Sequence, residues 1–364
     1  MKRVICFVLT LIMIFSLTAV SSFTVLAVED IEVQEDESSF AIHFIDVGQA
    51  DAALVLCDGS AMLIDGGNAA DSDLIYSYLK KHEVDRLDYV VCTHAHEDHV
   101  GGLAGALNYA SVNTALCPVT SYDSKAFKSF VKYLKKQKVD ITVPEAGDTY
   151  SLGSAKFEIL GPISGDVDGE NNSSIVLRIV YKNTSFLFTG DAELEEEKEI
   201  IDEGYTLEST LLKVGHHGSE TSTSYGFLKE VLPQYAVISV GKNNSYGHPT
   251  VDVLSRLRDA DVTVFRTDIQ GDIICTSDGE SLSFTVEKNA DADTLEGLKE
   301  TEEDKKETKA SGGASYVLNT NTKKFHKPSC SSVKTIKDKN REDYAGTRQE
   351  IIDMGYVPCK KCNP

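Results

Sequence analysis

The sequence predicts a mixed α/β protein in which helices cover β-sheets, followed by a small second module. From Phe40 onward, short apolar runs bounded by turn residues alternate with segments of helical periodicity. Strands with interspersed helices are typical of sheets whose outer faces carry helices. Residues 288–315 are almost all charged or small, as in a solvated linker, and a compact segment follows them.

The apolar and helical patterns locate the individual elements of the main domain. Strands are predicted at residues 40–47, 52–57, 61–64, 87–92, 112–116, 157–160, 174–181, 185–188, 210–214, 236–240, 262–266 and 273–276. Helices are predicted at residues 71–82, 125–136, 194–203, 227–231 and 251–259. The resulting domain plan is an export signal at 1–27, a leader at 28–38, a main domain at 39–287, the linker at 288–315 and a module at 316–364.

The amino-terminal residues have the pattern of an export signal. Lys2 and Arg3 precede an apolar run from Val4 to about Val20, and Ala27 closes a small-residue cleavage pattern. The alternative is an uncleaved membrane anchor, for which the run is short. We therefore expect a secreted, extracellular protein without stable membrane insertion, either released or kept near the cell envelope.

Charge is unevenly distributed along the chain. The net charge is −21, but residues 316–364 carry a balance of +5, which leaves −26 for the rest. An acidic main domain repels nucleic acid unless metal ions or the basic tail offset the repulsion. Four cysteines, Cys57, Cys92, Cys117 and Cys275, lie in apolar segments and are expected in the core, with pairing among them left open.

The densest chemical signal is the run Thr93-His94-Ala95-His96-Glu97-Asp98-His99. It places four metal-competent side chains within six residues, directly after a predicted buried strand. Imidazole nitrogens and carboxylate oxygens are the ligands that zinc and similar divalent ions accept. His94 and His96, at positions i and i+2, can bind one ion, and Asp98 with His99 can bind a second.

Three further strand ends carry residues of the same types. Phe188 is followed by Thr189-Gly190-Asp191, Val214 by Gly215-His216-His217, and a later loop contains His248. Alone, Asp191 would suit the amino-terminal cap of the following helix. Because strand ends at one sheet edge converge, the four clusters together favour a two-metal site, with Asp191 between the ions.

The order of these motifs resembles the metallo-β-lactamase fold superfamily over about residues 40–287, and within it the ComEC-like, competence-type secreted hydrolases. The resemblance rests on the histidine run and on the segments Asp46–Asp51, Ile64–Gly67, Asn171–Ser174, Thr189–Asp191, Lys213–Ser219 and Tyr246–Pro249. It implies an αββα sandwich with two divalent metal ions, Zn or Mn, at one edge of the sheets.

The resemblance also implies roles for individual residues. His94 and His96 bind the first metal, Asp98, His99 and His248 the second, and Asp191 bridges them. Asp65 orients a ligand, and Asp98 takes part in catalysis. His216 and His217 contact substrate, stabilising a phosphoryl oxygen or protonating the leaving group; the alternative exchanges His217 and His248.

One departure from the superfamily concerns the first metal. Most members have a third histidine before the bridging aspartate, whereas this chain has Asn171-Asn172-Ser173-Ser174. Asn172 is the candidate extra ligand, and an amide oxygen is a weaker zinc ligand than imidazole. We therefore expect a first site that is weak, partly occupied or better suited to manganese, with a one-metal enzyme as the alternative, and no β-lactamase activity.

The carboxyl-terminal module carries a second metal motif, with ligands spaced as a structural zinc requires. Its residues are His326, Cys330, Cys359 and Cys362. The alternative is a disulfide between the last two cysteines. The segment is similar to the zinc domain of Ada-type DNA-repair proteins, although His326 replaces the first cysteine. The basic residues Lys323, Lys324, Lys327, Lys334 and Lys337 are candidate DNA contacts, or alternatively solubilising charge.

Together these features predict a secreted metal-dependent hydrolase, a phosphodiesterase or nuclease that acts on DNA through a metal-bound hydroxide. The alternatives are a hydrolase of small phosphorylcholine or cell-wall diesters, and a DNA-binding surface protein with a decayed site. The sequence gives no indication of the oligomeric state.

Overall fold

Residues 39–163, 169–295 and 315–345 of the computed structural model are described, together with residues 348, 351, 354–359 and 361–362. The predicted export signal, the leader up to residue 38 and linker residues 296–314 lie outside the described residues. Among the described helices, none combines the length and hydrophobicity needed to cross a membrane.

Nineteen strands are present in the described chain. In chain order they are β1 Phe40–Phe44, β2 Ala53–Cys57, β3 Ser60–Ile64, β4 Arg86–Val91, β5 Ser111–Leu116, β6 Ile141–Thr142, β7 Thr149–Leu152, β8 Ala155–Gly161, β9 Val176–Tyr181, β10 Thr184–Phe188, β11 Leu211–Lys213, β12 Tyr235–Ile238, β13 Thr263–Arg266, β14 Ile273–Ser277, β15 Leu282–Val286, β16 Ser315–Asn319, β17 Lys324–His326, β18 Arg341–Ala345 and β19 Val357–Pro358.

The strands form three sheets. The first has eight strands in the order β15-β14-β1-β2-β3-β4-β5-β6, and the second has seven in the order β13-β12-β11-β10-β9-β8-β7. The third sheet, β18-β16-β17-β19, is built from residues 315–358, separate from the two large sheets. The α-helices are α1 Ser72–Lys81, α2 Glu97–Val100, α3 Leu103–Tyr109, α4 Lys125–Gln137, α5 Leu194–Glu203, α6 Tyr225–Val231, α7 Val251–Asp259 and α8 Thr267–Gln270.

The two large sheets pack face to face around an aromatic layer. Phe40 stacks on Phe186 with ring centroids 4.7 Å apart, and Phe44 stacks on Phe188 at 5.9 Å. Successive side chains of a strand point to opposite faces of its sheet. Those that point away from the other sheet pack against helices. Helices α1, α3 and α4 cover the first sheet, and α5, α6 and α7 cover the second. This confirms the predicted αββα sandwich.

Some elements differ from the prediction. The strands β6, β7 and β15 and the helix α3 were not predicted. Strand β6 has two residues, too few for a period to show, and α3 contains a glycine in the sequence LAGALNY. Cys57, Cys92, Cys117 and Cys275 are buried free thiols, as expected of core residues.

The carboxyl-terminal module has its own small core. Leu318, Phe325, Ile351 and Tyr356 are buried together on one side of the third sheet. The module also contacts the main domain, because Arg348 forms an ion pair with Asp259 and donates a hydrogen bond to the hydroxyl of Tyr225.

Helix α3 approaches the start of α1 closely enough to require glycine. A Cβ on Gly105 would overlap the carbonyl group of Ser72, whereas a Cβ on Gly226 in α6 would meet nothing nearer than the Ser224 hydroxyl at 3.8 Å. We expect Gly105→Ala to lower the free energy of unfolding by about 3 kcal/mol through overpacking. The control Gly226→Ala should change it by at most about 1 kcal/mol, in the stabilising direction. Urea denaturation measures both, and equal effects would contradict the packing argument.

Candidate metal centre

The predicted site residues follow strands that end at a common edge of the sandwich. Strands β3 and β4 run parallel in the first sheet, and β10, β11 and β12 run parallel in the second. Because the carboxyl ends of parallel strands meet at one edge, the loops after these strands lie together. They carry Asp65, the histidine run, Asp191 and the pair His216-His217.

Four of these side chains form a compact group, which we call the second metal group: Asp98, His99, Asp191 and His217. One ligand atom from each lies within 4.8 Å of those of the other three. Nε2 of His99 is 3.3 Å from Oδ1 of Asp191, and Nε2 of His217 is 3.3 Å from Oδ2 of Asp98. Two imidazoles and two carboxylates are a donor set that zinc or manganese accepts.

The hydrogen bonding of this group fits a divalent cation. Nε2 of His99, Oδ1 of Asp191 and Nε2 of His217 are buried without a hydrogen-bond partner among the described residues. A buried polar atom without a partner is destabilising, and such atoms are rare in folded proteins. One bound cation at their common centre would satisfy all three.

His94 and His96 lie together beside Asp191, and we call these three candidate ligands the first metal group. Their ligand atoms are less closely grouped than those of the second metal group. Nε2 of His94 lies 3.0 Å from Nδ1 of His96 and 4.0 Å from Oδ2 of Asp191. Oδ1 of Asp191 faces His99, whereas Oδ2 lies 4.0 Å from Nε2 of His94 and 3.7 Å from Nε2 of His217. The carboxylate therefore borders both groups, as expected of a bridging ligand.

The expected roles of His217 and His248 are exchanged in this geometry. His217 has a left-handed backbone, with φ 52°, which turns its ring into the second metal group, where it is 2% exposed. His248 is not a member of that group among the described residues. Its ring lies 5.7 Å from that of His216, between centroids, and stacks on exposed Tyr246. His248 therefore lies at the rim, with His216.

Asp65 holds His99, as the resemblance implied for a ligand-orienting carboxylate. Its Oδ2 is 2.9 Å from Nδ1 of His99 and also accepts the Thr93 hydroxyl, while Oδ1 accepts the Thr93 backbone N–H. An N–H donated from Nδ1 leaves Nε2 of His99 unprotonated toward Asp191 when a metal is bound. Such carboxylate–histidine pairs fix the tautomer and orientation of metal ligands.

A buried pair that the sequence analysis did not assign supports His217 in the same way. Nδ1 of His217 lies 3.0 Å from the Ser239 carbonyl and 3.2 Å from Asp51, and Asp51 forms a 2.8 Å ion pair with Lys213. The sequence did contain an indication of this buried pair, because Lys213 is the one charged residue of the otherwise apolar strand β11.

Asn172 does not point to the first metal group. Its Oδ1 accepts the backbone N–H of Glu193 at 2.9 Å, at the start of helix α5. The carboxylate of Glu193 in turn lies 3.3 Å from Nδ1 of His216, whose Nε2 is 3.6 Å from Asp191. The amide oxygen expected as an extra ligand of the first metal is thus engaged with the backbone, and it positions the loop whose Glu193 contacts His216.

The charges at the centre favour a bound cation. Burial raises the pKa of Asp191, but His99 and His217 outweigh burial and hold it well below the ordinary value. Burial lowers the pKa of His217, yet Asp191 and Asp51 raise it to about 10. His94 is different, because burial and the nearby His99 hold its pKa well below the ordinary value. The carboxylates thus require positive charge, which a metal ion can supply in place of protons.

The module contains the other predicted metal group. His326, Cys330, Cys359 and Cys362 have ligand atoms within 4.8 Å of one another, and Nδ1 of His326 is buried without a hydrogen-bond partner among the described residues. All three cysteines are free thiols, which disagrees with the disulfide alternative. Of the candidate DNA-contact lysines, Lys323, Lys324, Lys334 and Lys337 are exposed, and Lys327 is half-buried.

Comparison with known proteins agrees with the fold. The model of the metallo-beta-lactamase superfamily matches residues 45–242, more than half of the chain, and the chain belongs to this superfamily. It is similar to the ComE operon protein 3 of Bacillus subtilis, with 30% identity over 64% of this chain and 32% of that protein. It is also similar to the competence protein ComA of Neisseria gonorrhoeae, with 31% identity over 65% of this chain and 32% of that protein.

Two further similarities are weaker or shorter. Ribonuclease Z of Geobacillus kaustophilus is 30% identical over 28% of this chain and 34% of that protein. Among solved structures, the metallo-beta-lactamase fold protein YhfI of Bacillus subtilis has a TM-score of 0.45 and 14% identity, over 65% of this chain and all of that one. The chain thus spans about a third of the length of the competence relatives it matches.

The loop that carries His216 and His217 is held by a buried carboxylate, which predicts a pH dependence. Glu197 accepts the backbone N–H groups of Thr223 and Ser224, and burial raises its pKa to about 7. A raised carboxyl pKa stabilises the fold below the ordinary value, and this contribution is lost as pH rises through 7. The loss is up to about 3 kcal/mol at about 1.4 kcal/mol per pKa unit.

We therefore expect Glu197→Gln to be more destabilising relative to wild type at pH 5 than at pH 8. Urea unfolding at the two pH values measures the difference, and Glu195→Gln on the exposed face of α5 is the control. A difference between variant and wild type that is independent of pH would contradict the assignment.

Proposed function

We propose that this chain, a member of the metallo-beta-lactamase superfamily, is a secreted metal-dependent phosphodiesterase that cleaves nucleic acid. The observation that carries the proposal is the pair of metal groups that share Asp191 and open to solvent on one side. His99 and His217 are buried behind the centre, while the side chains of His96, Asp98 and His216 are 31%, 33% and 22% exposed. A phosphodiester can therefore reach the centre from the side of His216.

Two divalent ions in these groups would polarise the phosphoryl group and supply a nucleophilic water at neutral pH. The protein residues provide the remaining requirements. Asp191 fixes the spacing of the two groups, and Asp65 and Asp51 orient His99 and His217. His216 faces Asp191 from the open side, and the nearby carboxylate of Glu193 holds Nδ1. From there it can donate a proton from Nε2 to the leaving oxygen.

Two observations favour nucleic acid as the substrate: the names of the relatives and the exposed lysines of the module. The relatives include competence proteins and a ribonuclease. The exposed lysines of the module offer a basic surface in a chain whose main domain has an acidic net charge. Secretion is proposed from the amino-terminal pattern, and nucleic acid is the proposed partner.

We expect Asp191→Asn to abolish hydrolysis of bis-p-nitrophenyl phosphate and of single-stranded DNA, because the substitution removes the charge shared by both metal groups. His216→Ala should lower turnover by about 10²- to 10⁴-fold while the bound metal stays at the wild-type amount. Assays use the full chain loaded with Mn²⁺ or Zn²⁺, with metal content measured in parallel. Wild-type rates in the Asp191→Asn protein would rule the proposal out.

The same assays separate the alternatives. A small-diester hydrolase would cleave bis-p-nitrophenyl phosphate and leave plasmid and single-stranded DNA intact. A DNA-binding protein with a decayed site would bind DNA in a salt-sensitive way and turn over neither substrate with any divalent ion. Either result contradicts the proposed nuclease.

The lysines of the module should contribute to binding but not to chemistry. We expect Lys334→Gln with Lys337→Gln to weaken single-stranded DNA binding and to reduce the slope of log K against log[salt] by about 0.7 for each phosphate that is no longer neutralised. Hydrolysis of bis-p-nitrophenyl phosphate should not change. The control is Lys132→Gln with Lys135→Gln, which removes two exposed charges from α4. Equal weakening in both double variants would contradict a specific role for the module.

A further inference from the structure

We infer that Glu170 is a positioning residue of the first metal group, which orients His96 so that its Nδ1 faces the metal. The carboxylate lies 2.6 Å from Nε2 of His96. The inference rests on the proposed metal centre but not on the identity of the substrate.

The tautomer of His96 decides whether the first group can bind an ion. The nitrogen of His96 that faces His94 is Nδ1, at 3.0 Å from Nε2 of His94. A neutral imidazole carries one proton, and its other nitrogen provides the lone pair for a metal. Glu170 accepts a hydrogen bond from Nε2, so it holds the proton there and leaves Nδ1 unprotonated.

The same arrangement occurs at the other metal ligands, but with buried partners. Asp65 holds Nδ1 of His99, and Asp51 with the Ser239 carbonyl holds Nδ1 of His217. His96 is different because it lies at the rim, where its side chain is 31% exposed. Its partner must come from a surface segment, and the residue found there is Glu170.

The fold places Glu170 by several independent contacts. The Tyr122 hydroxyl donates to Oε1 of Glu170 at 2.8 Å. The preceding Gly169 accepts the backbone N–H of Ala95 at 3.0 Å, beside His96. A Cβ on Gly169 would lie 3.0 Å from the Tyr122 ring and 3.2 Å from the Ala95 Cβ, and its φ is +94°. Glycine here lets the backbone come close enough for Glu170 to reach the ring.

This support matters because the first group has few strong ligands. The third histidine of most superfamily members is replaced by an asparagine segment, and Asn172 is engaged by the Glu193 backbone. The group therefore depends on His94, His96 and Asp191. A carboxylate on the outer nitrogen of His96 fixes its orientation and increases its basicity as a ligand.

The test is Mn²⁺ binding to the full chain with zinc retained in its module, followed by calorimetry and electron paramagnetic resonance. We expect wild type to bind two Mn²⁺ ions in the main domain, the weaker one in the first group. Glu170→Ala should weaken that ion about 10- to 100-fold and leave the tighter ion unchanged. Glu170→Gln should have a smaller effect, since the amide oxygen still accepts a hydrogen bond but carries no charge.

A matched control variant and a second measurement distinguish the positioning of His96 from a general effect of removing a negative charge. Asp123→Ala removes a neighbouring exposed carboxylate that pairs with Lys128 and should leave both Mn²⁺ constants at wild-type values. In the metal-free protein, ¹H–¹⁵N NMR of the imidazoles should show His96 protonated at Nε2 in wild type and as a tautomer mixture in Glu170→Ala.

Wild-type affinity for both ions in Glu170→Ala, or an unchanged His96 tautomer, would overturn the inference. So would a wild-type chain that binds a single Mn²⁺ in the main domain. Failure of the proposed function is distinguishable, because it would appear as absent diester hydrolysis in a chain whose Mn²⁺ binding follows the expected pattern.

Discussion

The buried carboxylate of Asp191 is the feature on which the site depends. It is 2% exposed, yet side-chain nitrogens of His94, His99, His216 and His217 lie between 3.3 and 4.0 Å from its oxygens. A buried carboxylate is costly unless positive charge and hydrogen bonds compensate it. The fold brings these histidines from two strand ends, one in each large sheet, to a third strand end that carries Asp191, which a sandwich with a common open edge makes possible. The turn before Asp191 is correspondingly tight: a Cβ on Gly190 would lie 2.9 Å from Thr93 and Ser174, and its φ is +50°.

The two metal groups differ in how rigidly their ligands are held. His99 and His217 are supported by the buried carboxylates Asp65 and Asp51, and Asp51 is fixed by a buried lysine. His96 is supported from the rim by a carboxylate that is 54% exposed. A hydrogen bond at an exposed position contributes less because water competes for both partners. The protein therefore builds one preorganised group and one weaker group around a shared ligand. The first group is the weaker one because its ligand His96 lies nearer the surface and because the chain lacks the third histidine of most superfamily members.

Much of this could be predicted from the sequence, for identifiable reasons. The helices Leu194–Glu203 and Val251–Asp259 match their predicted bounds because an amphipathic pattern marks them from end to end. The histidine run is local, so its chemistry is visible without a structure. The sequence left open whether His217 or His248 is the metal ligand, because the choice depends on left-handed backbone at His216 and His217. Contacts between residues far apart in the sequence could not be predicted either: Lys213 and Asp51 are separated by 162 positions, and His96 and Glu170 by 74.

The distribution of charge bears on how the two parts of the chain would act on a polyanion. Outside the module the chain carries −26, whereas residues 316–364 carry +5. The module is already held to the main domain through the ion pair of Arg348 with Asp259. Its basic surface is therefore attracted both by the acidic domain beside it and by any nucleic acid. Salt screens both attractions. If the substrate is a nucleic acid, as proposed, the basic module offsets the net charge of the main domain, because the candidate metal centre lies at one edge of a domain whose net charge repels a polyanion.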